Sequence, residues 1–158
     1  MRKKIIENLK DGLNSYLGKD SSFEDTKVEQ VEGNYPGIVG VNRFIGIDID
    51  DVKPRDREIG AFGSLIKDYT CGIILLVKGA DYVKLNTEID TIVHRILRYL
   101  STDIGDLNGI EDNVDSDIER VVTYKVSGIN YGVGKIKKGG LGHLCTITVT
   151  ITTETHFV

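Results

Sequence analysis

Residues 143–153 read His-Leu-Cys-Thr-Ile-Thr-Val-Thr-Ile-Thr-Thr, an alternation of two kinds of side chain over eleven positions. One phase holds Cys145, Ile147, Val149 and Ile151, while threonines fill most of the other. A period of two is that of a β-strand with one face on a core. Threonine favours strands and tolerates water, so the polar phase predicts an uncovered sheet face.

Further strands are predicted on the N-terminal side of this segment. Ile45, Ile47 and Ile49 alternate with polar or small residues, and 69–77 is apolar in both phases, as a central strand would be. Shorter apolar segments lie around Val28 and at 38–41. A last strand is predicted at 119–127, with one side formed by Val122, Tyr124 and Val126.

Two helices are predicted from apolar stripes that recur every three or four residues. The first stripe is Ile5, Ile6, Leu9, Leu13, Tyr16 and Leu17. Gly18 follows it, which predicts a left-handed C-terminal cap. The second helix spans 81–100, with Asp81 or Asn86 as its N-cap. Its stripe is Leu85, Ile89, Ile92, Val93, Ile96 and Leu100.

This order of elements predicts one domain over residues 1–158, of the α+β class. We expect a two-layer sandwich with a mostly antiparallel sheet and both helices on one face. Three segments are predicted to be irregular. They are a charged protruding loop or hairpin tip at 51–63, an acidic loop at 101–119, and a glycine-rich loop at 128–142.

The charge of the chain is unevenly distributed. Twenty basic and 24 acidic residues give a net charge of −4. Seven of the acidic residues fall between Asp103 and Glu119, a segment without lysine or arginine, and the rest of the chain is +3. Two cysteines form neither a zinc set nor a disulfide framework. No apolar run approaches the ~20 residues that span a bilayer, so no membrane partner is expected.

The sequence contains one feature that suggests catalysis. Asp48 and Asp50 lie in one phase of a strand and could share a Mg²⁺ ion, as in metal-dependent nucleases. No third carboxylate follows at a suitable position, so a solvated strand face is the simpler interpretation. The acidic segment lacks EF-hand spacing, the lysines near 135–138 lack phosphate-loop spacing, and the histidines do not cluster. We therefore expect no enzyme, no cofactor and no metal site.

The order of elements resembles the tail terminator family of tailed bacteriophages, also called tail completion or minor tail protein U-like proteins. The resemblance starts with the amphipathic first helix and the strand entry Tyr-Pro-Gly-Ile-Val at 35–39. It continues through the apolar strand at 69–77 and the helix at 81–100. It ends with the glycine-rich turn and the closing strand at 142–152.

That resemblance implies a structural virion protein of the tail or neck, assembled in the host cytoplasm. Such a subunit forms a ring, typically a hexamer, that caps the tail tube and stops its polymerisation. Its implied partners are other copies of itself, the tail tube protein and the head–tail connector or stopper protein. DNA passes through the ring without specific binding. The alternatives are another neck component, such as a stopper or head-completion protein, a metal-dependent nuclease using Asp48 and Asp50, or a plain ligand-binding domain.

A ring requires two different complementary patches on each subunit. We expect the acidic residues Asp48, Asp50 and Asp51 at the lumen or rim, since an acidic wall repels the phosphates of DNA. The candidate contacts between subunits or with partners lie in the charged segments, where the acidic loop of one copy would meet the lysine turn of the next. They are Arg55, Arg57, Glu58, Asp112, Asp115, Asp117, Lys135, Lys137 and Lys138.

Overall fold

A computed structural model describes residues 1–19, 26–30, 43–60, 64–79, 81–102, 105–136 and 140–157. These residues form two helices and six strands. In chain order they are α1 (Arg2–Leu17), β1 (Thr26–Gln30), β2 (Arg43–Gly60), β3 (Ser64–Gly79), α2 (Tyr82–Leu100), β4 (Glu111–Val114), β5 (Asp117–Ile136) and β6 (Gly140–His156). The predicted α+β class is confirmed, with much more sheet than helix.

The strands form one sheet in the order β1-β2-β3-β6-β5-β4. Strand β1 runs parallel to β2, and the other four neighbouring pairs are antiparallel. The prediction that 69–77 is a central strand is confirmed, because β3 lies between β2 and β6. Backbone pairing continues across five strands, and one such row of partners is Val28, Ile45, Leu75, Cys145 and Tyr131.

The strands are longer than the sequence predicts. Strand β2 continues through Gly60 and β3 begins at Ser64, so most of 51–63, predicted to be a protruding loop or a hairpin tip, belongs to the strand of a long hairpin. The loop predicted at 128–142 is wrong, since β5 runs to Ile136 and β6 begins at Gly140. The acidic loop likewise contains β4 and the start of β5. Cross-strand hydrogen bonds use the backbone, so polar and glycine-rich segments can pair when a long neighbour is available.

Several predicted features cannot be compared with the structure. The strand segment at 38–41, the turn before it and the polar loop at 20–24 lie outside the described residues. So do the proposed contact residues Lys137 and Lys138.

Both predicted helices are present. Asp81 is the N-cap of α2, and its carboxylate accepts hydrogen bonds from the backbone N–H groups of Val83 and Lys84, at 3.0 and 3.3 Å. The left-handed cap predicted at Gly18 is wrong. Gly18 has a φ of −66° and donates its N–H to the Asn14 carbonyl, so it continues the helical geometry of α1.

One apolar core joins the sheet and the helices. Helix α1 contacts β1 and β2, helix α2 contacts β3 and β6, and the helices contact each other. The predicted phases of β2 and β6 are confirmed, since the core contains Ile45, Ile47, Ile49, Cys145, Ile147, Val149 and Ile151. In β3, which is apolar in both phases, the structure buries the phase of Cys71, Ile73 and Leu75 more deeply than the phase of Ile74 and Leu76. Both helix stripes are also buried, except that Tyr16 is only partly buried. The apolar stripes of both helices and the inward residues of the central strands thus belong to one cluster.

Candidate interaction surfaces

The acidic hairpin consists of β4, its turn and the first residues of β5, residues 111–119. Asp115 lies exposed in the turn with a φ of 59°, a conformation that Asp tolerates better than most residues. Asp112 binds the α-amino group of Met1 and lies 3.4 Å from Lys4 Nζ. The bond from the α-amino group, with Lys4 beside it, lowers the pKa of Asp112. Asp112 therefore joins the hairpin to α1, and Asp115 presents its charge to solvent.

Glu119 is the most buried carboxylate of the acidic hairpin, with 8 % of the residue exposed. Its Oε1 accepts hydrogen bonds from the hydroxyls of Tyr69 at 2.8 Å and Thr153 at 2.7 Å. Lys67 Nζ lies 3.0 Å from the same oxygen. Burial alone would raise the pKa of Glu119, but these three partners outweigh burial and lower it. We call Lys67, Tyr69, Glu119 and Thr153 the Glu119 cluster.

Lysines gather at the opposite end of the sheet. Lys135 pairs in register with Leu141 near the end of β5, while Lys78 is near the end of β3 and Lys84 is in the first turn of α2. Asp117 and Lys135 are eighteen residues apart and lie near the two ends of β5. We call the end with the exposed Asp115 the acidic end, where Glu111, Asp112 and Glu119 lie within 4 Å of Arg120, Lys4 and Lys67, and we call the end with these lysines the basic end.

The hairpin of β2 and β3 carries an ion pair that faces away from the core. Arg55 Nε donates to the Asp68 carboxylate at 2.9 Å, and the Thr152 hydroxyl donates to the same carboxylate at 2.6 Å. The hydrogen bond from Arg55 lowers the pKa of Asp68, although burial opposes this. Arg55 thus stabilises the fold of the hairpin. Arg57 and Glu58 follow it within β2.

The three aspartates expected at the lumen or rim, of which Asp48 and Asp50 also suggested a metal site, occupy different surroundings. Asp48 lies 3.2 Å from an Arg2 nitrogen, and Asp51 lies 3.0 Å from Lys53 Nζ. Asp50 is exposed and is the extra residue of a β-bulge, since Ile49 pairs with Cys71 and Asp51 pairs with Thr70. Within the described part of the chain, no three His, Cys, Asp or Glu side chains are grouped as a metal site would require.

The face of the sheet opposite the core carries the threonines of β6, beside Ile74 of β3 and Lys125 and Asn130 of β5. Thr146, Thr148 and Thr150 on β6 are partly exposed, and Thr148 pairs with Gly72 of β3 on one side and with Gly128 of β5 on the other. A Cβ placed on either glycine would come no closer than 3.9 Å to another atom. Nothing in the described structure packs over these glycines. The threonine face predicted from the 143–153 alternation is therefore partly exposed from Thr146 to Thr150, whereas Thr152 is buried beside Arg55 and Asp68.

An open groove of about 430 Å³ lies beside α1 and the segment after α2. It is lined by Glu7, Asn8, Asp11, Gly12, Ser15, Tyr99, Asp106 and Leu107. Small-molecule sites are usually enclosed and mostly apolar. This mostly polar groove does not resemble one, so it adds no support to the ligand-binding alternative.

Several residues of these surfaces are absent from the sequence-based candidates. Lys67 and Tyr69 lie 50 or more positions from Glu119, and only the strand order brings them together. A local signal for Glu119 exists, because it shares a strand phase with the buried Val121. Val122 is the extra residue of a β-bulge, so the alternation of the sequence is interrupted between Val121 and Thr123. The prediction that Val122 lies on the same side as Tyr124 and Val126 is therefore wrong.

No protein-family model and no curated protein sequence matches this chain. Among the described residues, neither helix has the combination of length and apolar character that crossing a bilayer requires.

Proposed function

We propose that this chain is a ring-forming structural subunit of a phage tail or neck, of the tail terminator type. The observation that carries the proposal is the separation of charge along the sheet. The acidic end presents Asp115, and the basic end carries Lys78, Lys84 and Lys135. A terminator must bind two different partners, the tube protein and the connector or stopper, on opposite sides of one ring. Two ends of opposite charge suit that requirement.

The proposal includes a two-layer arrangement in which both helices lie on the core face of the sheet. The contacts of α1 with β2 and of α2 with β3 and β6 support it. With the helices outside, the threonine face lines the passage of the ring. Hydroxyl groups bind phosphate weakly compared with Lys or Arg, so DNA passes without specific binding. Asp48, Asp50 and Asp51 then add negative charge near the edge of that wall.

In a ring whose copies share one orientation and one height, the acidic ends of neighbouring subunits lie side by side, and so do the basic ends. This arrangement changes the expected role of the charged segments. All acidic hairpins form one rim, and all basic ends, with Lys78, Lys84 and Lys135, form the other. The contact first expected between the acidic loop and the lysine turn of the next copy becomes a contact with the partner proteins. Asp115 and Asp117 belong to one rim, and Arg57 and Glu58 are near it on the β2–β3 hairpin.

Light scattering and a tube-polymerisation assay test the proposal together. We expect a closed oligomer, hexameric by the family resemblance, whose addition to polymerising tube protein shortens the tubes seen by electron microscopy. The double variant Asp115→Lys with Asp117→Lys should keep the ring mass and lose binding to one partner only. Lys78→Glu with Lys84→Glu, at the other end, is the matched variant. A strict monomer at high concentration with tube protein present would rule the proposal out.

A further inference from the structure

One edge of the sheet is open along most of a strand. Strand β4 pairs with β5 only over Asp117–Arg120, and Val121 bonds to Gly109 and Ile110. From Val122 to Ile136, no described residue pairs with β5 on the side away from β6. Natural sheets protect such edges with bulges and charges. The two bulges of β5 lie before Gly128, so the last nine residues of the strand, 128–136, form a regular edge with a single charged residue, Lys135.

Apolar side chains accompany this open edge. Ile129 is 39 % exposed and Tyr131 is 56 % exposed, although both pair with core residues of β6. They are exposed because α2 covers β3 and β6, which leaves this part of β5 at the margin of the helix layer. Large apolar groups beside unpaired backbone are typical of a site that accepts another strand.

The opposite edge of the sheet, formed by β1, is connected to the open part of β5 by the same rows of backbone partners. Strand β1 forms that edge, and no described residue pairs with β1 on the side away from β2. The rows of backbone partners connect Gln30 to Ile129, Val28 to Tyr131 and Thr26 to Val133 through the intervening strands. Strands β1 and β5 run in opposite directions. Copies placed side by side in one orientation therefore present antiparallel edges to each other.

We propose that the open edge of β5 in one copy pairs with β1 of a second copy, with Val28 opposite Tyr131. This inference rests on the proposed ring and names its subunit contact. The contact is heterologous, because each copy uses two different edges, and a heterologous contact can close a ring. Shifts of two residues would place Ile129 or Val133 opposite Val28, whereas a shift of one would exchange the faces of the joined sheet.

Charge supports a second copy as the occupant of the edge. One row of backbone partners runs from Lys125 of β5 through Thr150 of β6 and Thr70 of β3 to Asp51 of β2. Strand β1 does not extend to this level, because its pairing with β2 ends at Ile47. The exposed Asp50 lies beside Asp51 in the bulge. In the joined sheet, Lys125 of one copy thus approaches Asp50 and Asp51 of the next.

A charge exchange tests this contact. Lys125→Glu and Asp51→Lys should each weaken ring formation by about tenfold or more in concentration, and the double variant should restore it. Lys84→Glu, on the exposed side of α2, is the control and should leave the ring intact. Mass photometry across a dilution series gives the ring fraction. If neither Lys125→Glu nor Asp51→Lys lowered the ring fraction, the proposed contact would be overturned and the proposed function would stand.

Disulfide trapping tests the register. The variant Val28→Cys with Tyr131→Cys should form covalent multimers on mild oxidation, and each single variant should not. Val28→Cys with Thr123→Cys, farther down β5, is the matched negative control. If Val28→Cys formed the disulfide with Ile129→Cys and not with Tyr131→Cys, the register that places Val28 opposite Tyr131 would be overturned. A wild-type ring in which no pair traps, and in which the amides of 129–133 exchange as fast as in the diluted monomer, would overturn the edge pairing. A wild-type monomer would instead refute the proposed function.

Discussion

At the scale of single residues, Glu119 shows how position changes the role of a charge. The sequence places it among seven acidic residues of one segment, yet the fold buries it against Lys67, Tyr69 and Thr153. A buried charge that loses its partners is costly, whereas an exposed one contributes little. Residues of one acidic segment should therefore differ sharply in their effect on stability.

Glu119→Ala should lower the free energy of unfolding by about 2–4 kcal/mol, because it leaves Lys67 and two hydroxyls without their acceptor. Glu119→Gln keeps a neutral acceptor and should cost less. Glu111→Ala is the control, since Glu111 is half exposed and lies 3.9 Å from Arg120; it should change stability by about 0.5 kcal/mol or less. Urea unfolding followed by circular dichroism measures all three. Equal losses for Glu119→Ala and Glu111→Ala would contradict the role of the cluster.

The same carboxylates predict the response to acid. The pKa values of Glu119, Asp68 and Asp112 are lowered in the folded protein. A lowered pKa adds stability that is fully present above the pKa of the unfolded chain, near 4, and is lost as pH falls towards the folded value. The urea midpoint should therefore fall between about pH 5 and pH 3. Glu119→Gln should show a smaller fall than wild type, and a pH-independent wild-type midpoint would refute the assignment.

At the scale of elements, the helices show both what a local pattern predicts and what it misses. The stripes of α1 and α2 predict the buried face correctly, because the helical period depends only on sequence spacing. The pattern does not indicate how closely the helices approach. Tyr99 of α2 lies directly over Gly12 of α1, where a Cβ would be 1.8 Å from its hydroxyl oxygen. Gly12 is thus required by a tertiary contact inside a helix that otherwise disfavours glycine.

Gly12→Ala should destabilise the protein by about 1–3 kcal/mol, even though alanine favours helices. Tyr99→Phe removes the clashing oxygen and should recover part of the loss in the double variant, because the ring carbon at 2.9 Å remains close. Thermal unfolding of the two single variants and the double variant gives the coupling. Additive effects of the two substitutions would contradict the contact.

At the scale of the whole molecule, the two central strands share one core. Cys71 of β3 and Cys145 of β6 are both fully buried in it. Burial raises the pKa of Cys71 to about 12 and that of Cys145 to about 11, so neither is a reactive thiolate near neutral pH. Their reactivity should therefore report the opening of the entire sheet.

A thiol reagent at pH 8 should label neither cysteine in the folded protein and both in guanidinium. In intermediate denaturant, both should react at one rate, because β3 and β6 separate only when the core opens. Mass spectrometry of the labelled chain distinguishes the two sites. Rapid labelling of one site in native buffer would show that its strand opens independently.

The local periods of the sequence predict the α+β class, the two helices and the inward phases of β2 and β6, because periods of 3.6 and 2 depend only on spacing along the chain. The inward phase of β3 required the structure, because both phases of that strand are apolar. Only the tertiary structure decided that the glycine-rich and charged segments become long strands, since their pairing depends on distant neighbours. It also decided that Glu119 is buried, because its partners come from β3 and β6. Finally, it decided which edges remain open and placed the acidic and basic segments at opposite ends of β5, as strand order and register are contacts between residues far apart in sequence.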